Sequence, residues 1–188
     1  MASLGGSRIV QSMEEASHHP DIAPDEPAVG GAAADLLRAM AFATFKKNKD
    51  ARKRCGDELD AIEWAEASIL LAAAKEVALL RHKNDIDEIG VDAWVEATAK
   101  ALVAHHSDWM RLQAAQVAAM LRSGLGKRGL ALSVPKPTRG RFDITIVSYL
   151  IQTKMQLRDE FSSEFDDVLI DANQLRTRRS FAEDFEGQ

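Results

Sequence analysis

Residues 55–80 read CGDELDAIEWAEASILLAAAKEVALL, and the apolar side chains in this stretch recur every three or four positions. That spacing is typical of one face of an α-helix. Three further leucines widen the apolar face: Leu70, Leu71 and Leu79. The stretch therefore predicts a long helix that runs to about Lys83, where the pair Asn84-Asp85 interrupts the pattern.

The same periodicity predicts helices on both sides of this stretch. They run from Ala32 to the basic segment Lys46–Arg54, from Asp92 to the pair His105-His106, and from an N-cap at Ser107 to Gly124 or Gly126. We interpret Lys46–Arg54 as a helix junction, because Asn48 and Asp50 favour turns. Short connections between such helices favour antiparallel neighbours in a bundle.

Apolar residues resume at Ile144 and continue to Leu175, and residues 143–177 contain neither glycine nor proline. One helix of about 50 Å would fit this span, with Ser162-Ser163 as an alternative break. The β-branched residues 144–147, ITIV, are also compatible with a short strand, but we find no partner strand. We therefore expect an all-α fold, an antiparallel bundle of about five helices over residues 32–181.

Composition and charge limit the class of protein. The 188 residues suit one domain; 46% of them are apolar, 6% are aromatic and the net charge is −5, so any site for anions has to be local. The single cysteine, Cys55, excludes an intrachain disulfide. We find no apolar run long enough to span a bilayer and no secretory signal, and expect a soluble, intracellular protein without a membrane partner.

The two ends of the chain are predicted to lie outside the bundle. Residues 1–31 mix glycine, serine, proline and acidic residues without an apolar period. We expect them to form an extended N-terminal arm that is mobile unless a neighbouring subunit orders it. Residues 182–188 are expected to form a short C-terminal tail.

The segment from Leu125 to Phe142 is the strongest candidate for a binding site. It carries five cations and no carboxylate before Phe142: Lys127, Arg128, Lys136, Arg139 and Arg141. Its glycines and prolines predict a loop with Pro135-Lys136-Pro137 extended, from which arginines could hold phosphate bidentately. Phosphate contacts carry little sequence information, so we expect non-specific nucleic-acid binding. The alternative is a solvated surface loop.

Three other charged clusters carry open alternatives. RTRRSF, Arg176–Phe181, is a possible second basic site through Arg176, Arg178 and Arg179, or a set of cations that complements a helix C-terminus. On one straight helix it would lie far from the first cluster. Lys46–Arg54 holds six cations, which is more typical of a solvated face or a helix end, with nucleic-acid contact as the alternative. Asp159–Asp167 surrounds Phe161 and Phe165, which suggests a core-facing stripe or, alternatively, an intersubunit acid patch.

Catalytic patterns are weak throughout the sequence. No phosphate-binding, dinucleotide-binding, nucleophile-elbow or zinc-protease motif is present. Neither adjacent histidine pair is a credible metal site, since His18-His19 lies in the mobile arm and His105-His106, as neighbours on a helix, would point in different directions. We interpret Trp64, Trp94 and Trp109 as core anchors. We expect no enzyme activity, no catalytic residue, no cofactor and no metal.

The last third of the chain resembles coat proteins of rod-shaped plant RNA viruses, the tobacco mosaic virus group and its hordeivirus relatives. The residues that carry the resemblance are Pro135-Lys136, Arg139, Arg141, the apolar helix after them, VLID at 168–171, Arg176, and TRRSF at 177–181. The resemblance implies a radial helical bundle whose inner helix ends and loops face genomic RNA, with Arg139 and Arg141 at the entry to a radial helix.

These observations together predict a structural assembly subunit. Its most concrete form is a viral coat protein that polymerises around RNA through phosphate contacts, with itself and single-stranded RNA as partners and the virion or host cytoplasm as its location. The alternative is a protein-only helical adaptor or scaffold, in a virion interior or in regulation, that binds no nucleic acid.

Overall fold

The computed structural model describes residues 31–61, 64–154 and 160–186, and over these residues the chain is built from helices without a strand. The prediction of an all-α fold is confirmed. The α-helices are α1 (Ala32–Phe45), α2 (Lys49–Ala61), α3 (Trp64–Arg81), α4 (Lys83–Ile89), α5 (Val91–His106), α6 (Ala114–Gly124), α7 (Lys136–Lys154) and α8 (Phe161–Glu186), with a 3-10 helix at Arg128–Ser133. The expected N-terminal arm lies outside the described residues, except for Gly31.

The predicted helix junction lies within the basic segment Lys46–Arg54, but it is shorter than expected and the rest of the segment is helical. Only residues 46–48 form the turn after α1, and α2 begins at Lys49. The side chain of Asn48 accepts a hydrogen bond from the Ala51 amide at 3.0 Å, which satisfies one of the free donors at the start of the helix. Four of the six cations, Lys49, Arg52, Lys53 and Arg54, therefore lie along the first turns of α2, and Lys46 and Lys47 lie in the turn before it.

The central helix is α3, which packs against α1, α6, α7 and α8. The single helix predicted from residue 55 to about 83 is wrong, because α2 ends at Ala61 and α3 starts at Trp64. The widened apolar face is explained by burial on several sides, since Leu71 is only 1% exposed. Two apolar residues of α3 remain exposed, Ile69 at 54% and Leu80 at 62%.

The C-terminal third forms two antiparallel helices instead of one long helix. Along α3, Lys75 pairs with Asp143 of α7, and the ring of His82 contacts the carbonyl oxygen of Leu150 further along α7. The contacts between α3 and α8 run in the opposite direction. Arg81 of α3 pairs with Glu164 near the start of α8, and Glu76 of α3 pairs with Arg179 near its end. The chain therefore reverses between α7 and α8.

The ITIV segment is helical, so the strand alternative is wrong. Ile144, Ile146 and Val147 are each 0% exposed. Because α7 contacts α1, α3, α6 and α8, the β-branched residues are buried on several faces, and tertiary packing overrides their strand preference.

The remaining helices differ from the prediction at their ends. The short helix α4 was not expected, and Ser107 follows the last residue of α5 instead of starting the next helix, which begins at Ala114. Trp94 is 6% exposed and anchors the core as expected. Trp109 instead lies in the connection between α5 and α6 and is only half-buried.

The two phenylalanines of the acidic segment near the start of α8 face the core, as one of the two interpretations predicted. Phe161 and Phe165 are each 1% exposed, and the Phe161 ring stacks on Phe45 of α1 with centroids 4.4 Å apart. The carboxylate of Asp166 pairs with Arg38 of α1. The helix α8 continues to Glu186, beyond the expected domain end at residue 181.

Candidate nucleic-acid interface

The predicted basic loop is largely helical in the structure. Lys136 is the first residue of α7, so the expected extended Pro135-Lys136-Pro137 segment is instead the entry to a helix. The entry is fixed by the amide and hydroxyl of Thr138, which donate to the Pro135 carbonyl at 2.9 and 2.7 Å. Lys127 and Lys136 are exposed, while the side chain of Arg128 lies outside what is described.

The helix separates the two arginines that were expected to act together. Residues two apart on an α-helix are rotated by about 200°, so Arg139 and Arg141 face different neighbours. Arg139 Nε donates to the carbonyl of Val134 at 2.9 Å, and its charge helps to lower the pKa of Asp143 against the dominant effect of burial, which raises it. Arg141 is exposed on the side of α7 that faces α2.

These cations lack a paired acid among the described residues. Within the part of the chain that the structure describes, none of Lys127, Lys136, Arg139 and Arg141 forms an ion pair. Other basic residues are paired; Arg122, for example, contacts both Asp92 and Glu96. Positive charge is therefore left uncompensated where α7 begins.

Arg141 meets a cation from the earlier basic segment across a cleft between α2 and α7. We name this cavity of about 280 Å³ the Arg52–Arg141 cleft. Its lining residues are Met40, Lys49, Asp50, Arg52, Lys53, Gly56, Asp57, Trp109, Met110 and Arg141. Sequence reasoning did not single out Arg52, whose only signal was its place within Lys46–Arg54.

Arg52 is held in place by neutral acceptors alone. Its Nε donates to Thr44 Oγ1 at 3.0 Å, and one terminal nitrogen donates to the Arg141 carbonyl and to Thr145 Oγ1, both at 3.2 Å. The guanidinium carbon lies 5.8 Å from the ring centroid of Trp109. Burial, with a further contribution from Arg141, lowers the pKa of Arg52 to about 10, so the side chain still carries its charge at neutral pH.

Arg176 and Arg179 of the second basic cluster lie beside α3 and the end of α6, and not at the far end of one straight helix. Arg176 and Arg179 line a cavity of about 510 Å³ together with Lys75 and Gly124, and Lys75 also pairs with Asp143 of α7 at 2.6 Å. The chain reversal between α7 and α8 is the reason. Arg179 is engaged with Glu76 at 2.6 Å.

Arg178 faces a different neighbour from the other two arginines of its cluster. It lines a separate cavity with Arg81 and Asp171. The three arginines of α8 therefore do not form one continuous basic surface.

The histidines do not form a metal site in the described structure. The rings of His105 and His106 lie edge to face with centroids 4.8 Å apart, but His105 faces Tyr149 and His106 faces Trp109. No group of three or more histidine, cysteine, aspartate or glutamate side chains within the described ranges is arranged to hold a metal ion. The pair His18-His19 lies outside those ranges.

Comparisons with protein-family models, with curated proteins and with solved structures gave no match for this chain. Among the described helices, none combines the length and apolar character that crossing a bilayer requires.

Proposed function

We propose that the protein is a structural assembly subunit that binds nucleic acid through its phosphates. Its most concrete form is a viral coat protein that polymerises around single-stranded RNA, in a virion or in the host cytoplasm. The observation that carries this proposal is the unpaired positive charge at the start of α7, on a chain whose net charge is −5.

Local charge of this kind favours a polyanion as the partner. Lys127 and Lys136 are exposed, and with Arg141 they present three cations that no carboxylate of the described residues engages. Cations in the first turn of a helix also lie unfavourably in the field of its dipole, and α7 has no acidic residue in its first turn. A bound phosphate would remove this electrostatic cost.

The test is the salt dependence of RNA binding. Affinity for a short labelled RNA of mixed sequence, measured by fluorescence anisotropy, should fall linearly on a log–log plot with salt, by about 0.7 per neutralised phosphate. The double variant Lys127→Gln/Lys136→Gln should reduce this slope by about 1.4, since two contacts are lost. Lys100→Gln on α5, which changes an exposed and unpaired lysine, is the matched control and should leave the slope unchanged.

A flat salt response would exclude phosphate neutralisation. Equal slopes for the double variant and the Lys100→Gln control would place RNA elsewhere on the protein.

The second candidate is a protein-only scaffold, and exposed apolar side chains favour it. Leu132 of the 3-10 helix is 74% exposed, and Leu80 and Ile69 of α3 are 62% and 54% exposed. Exposed apolar side chains mark contacts between proteins where they join into a contiguous patch, so this candidate requires these residues to contribute to one. Sedimentation velocity of nuclease-treated protein separates the candidates: a defined oligomer that Leu132→Ser weakens, together with no RNA binding, would favour the scaffold.

A further inference from the structure

The guanidinium of Arg52 is a fixed positive charge without a countercharge. Thr44, Thr145 and the backbone of Arg141 accept its hydrogen bonds, and no described carboxylate pairs with it. A partly buried cation without a partner anion is costly, and the neighbouring charge that acts on it, that of Arg141, is also positive. The site is thus electrostatically incomplete by itself.

One edge of this guanidinium is still available to a ligand. Nε and one terminal nitrogen are used, whereas Nη1 makes no hydrogen bond. The one described buried side-chain nitrogen or oxygen without a partner is His106 Nε2, so Arg52 Nη1 keeps access to solvent. Because Arg52 lines the Arg52–Arg141 cleft, an acceptor in the cleft can reach a donor whose orientation is already fixed.

We propose that the Arg52–Arg141 cleft binds a single phosphate group, with Arg52 as the fixed inner donor and Arg141 as the outer one. The cavity of about 280 Å³ lies just below the ~300–1,000 Å³ range of pockets for drug-sized molecules. That size suits one phosphate with the adjoining part of its ester. Two arginines are also the side chains best matched to phosphate geometry.

The acidic residues of the cleft do not cancel its charge. Asp57 is already paired with Lys53 at 2.6 Å, and Asp50 is opposed by Lys49, Arg52 and Arg141 in the same lining. The lining therefore carries four cations against two carboxylates. The lining of the cleft therefore carries a net positive charge, which favours a phosphate.

The phosphate could come from an RNA backbone or from a small phosphorylated molecule. The RNA backbone as source rests on the proposed function, in which Lys127 and Lys136 guide the strand past Arg141. The proposal of a phosphate site in the cleft rests on the geometry of Arg52 alone. The experiment therefore uses both ligands, so that the two ideas can fail separately.

Isothermal titration calorimetry of the full chain, with a short RNA and with uridine monophosphate, tests the proposal. Arg141→Gln removes an exposed side chain but keeps the backbone carbonyl that holds Arg52, so the fold should persist. Arg52→Lys keeps the charge but loses the forked donors. Each variant should weaken uridine monophosphate binding about tenfold or more, as expected for losing a charge-assisted hydrogen bond. Arg54→Gln, an exposed change on the same helix outside the cleft, should have no effect.

The outcomes separate cleanly. Weaker binding of both ligands by the two cleft variants supports the cleft as an RNA-phosphate site. If uridine monophosphate binding depends on the cleft while RNA does not bind at all, the cleft stands and the proposed function is overturned. If RNA binds and Arg141→Gln behaves like Arg54→Gln with both ligands, the cleft is overturned and the proposed function stands. Absence of uridine monophosphate binding also overturns the cleft.

Discussion

His106 is a buried histidine in a positively charged neighbourhood. It is 2% exposed, and its Nδ1 accepts a hydrogen bond from Trp109 Nε1 at 2.8 Å. Burial, followed by the charges of His105, Lys47 and Arg52, lowers the pKa of His106 from 6.5 to about 4, although Asp108 acts in the opposite direction. The ring is therefore neutral at pH 7.

This lowered pKa predicts acid-sensitive stability. Between pH 6.5 and about 4 the unfolded chain binds a proton at this position that the folded chain does not, so the free energy of unfolding falls as the pH drops through this window. The variant His106→Asn keeps an acceptor for Trp109 and cannot titrate. Its loss of stability over this window, followed by urea denaturation, should be smaller than that of the wild type.

The comparison needs the other titrating groups to be held constant, so the difference between the two pH profiles is the measured quantity. Parallel profiles for the wild type and His106→Asn would show that His106 does not contribute to the acid sensitivity.

At the scale of elements, α6 and α3 approach closely at Gly124. A Cβ added at Gly124 would lie 2.5 Å from Leu79 Cδ1 and 3.2 Å from Lys75 Cε. Leu79 is 2% exposed and Lys75 is held by Asp143, so neither side chain can move without disturbing the core. The absence of a side chain at residue 124 is thus a packing requirement.

Gly124→Ala should therefore destabilise the protein, by about 1–3 kcal/mol, as expected for overpacking a dense core. Gly56→Ala in α2 is the matched control, because nothing lies within 4 Å of its added Cβ. There the better helix propensity of alanine should stabilise by about 0.5–1 kcal/mol. Chemical denaturation measures both. A stabilising effect at both sites would contradict the close approach.

The sequence predicted helices better than it predicted their ends. Apolar periodicity located the central parts of α1, α3 and α5, because apolar residues spaced three or four apart indicate the buried face of a helix. It did not locate the start of α7 at Lys136, since Pro135 and Pro137 resemble loop punctuation and equally suit the first turn of a helix. Nor did it separate α2 from α3, whose apolar residues continue the same period across the junction.

At the scale of the whole molecule, one buried ion pair ties α3 to α7. Lys75 Nζ lies 2.6 Å from Asp143 Oδ1, and the two residues are 5% and 8% exposed. Burial raises the pKa of Asp143, although Lys75 and then Arg139 act to lower it. Each partner keeps the other from being an isolated charge in the core.

Asp143→Ala should lower the free energy of unfolding by about 3–5 kcal/mol, because it leaves the ammonium group of Lys75 buried and unpaired. The double variant Lys75→Met/Asp143→Leu should cost much less, since apolar side chains replace both charges. Urea denaturation of the two variants and the wild type gives the comparison. A double variant that is less stable than Asp143→Ala would contradict this account.

Only part of the candidate site could be predicted, because a sequence pattern shows local composition but not the contacts that form on folding. Arg141 was identified because its segment is locally rich in cations and free of acids. Arg52 was missed because its importance comes from Thr145 and Arg141, residues far away in the chain that reach it only after folding. The pairing of Arg179 with Glu76 was hidden in the same way.

The reversal of the chain between α7 and α8 changes what a single copy of the protein can do. Lys75 contacts Asp143 on one side and shares a cavity with Arg176 and Arg179 on the other. Under the proposed function, a single copy of the chain would present both basic clusters from helices that pack against α3, without the C-terminus of a neighbouring copy. RNA binding by monomers would then come first, and lateral packing of the subunits would follow.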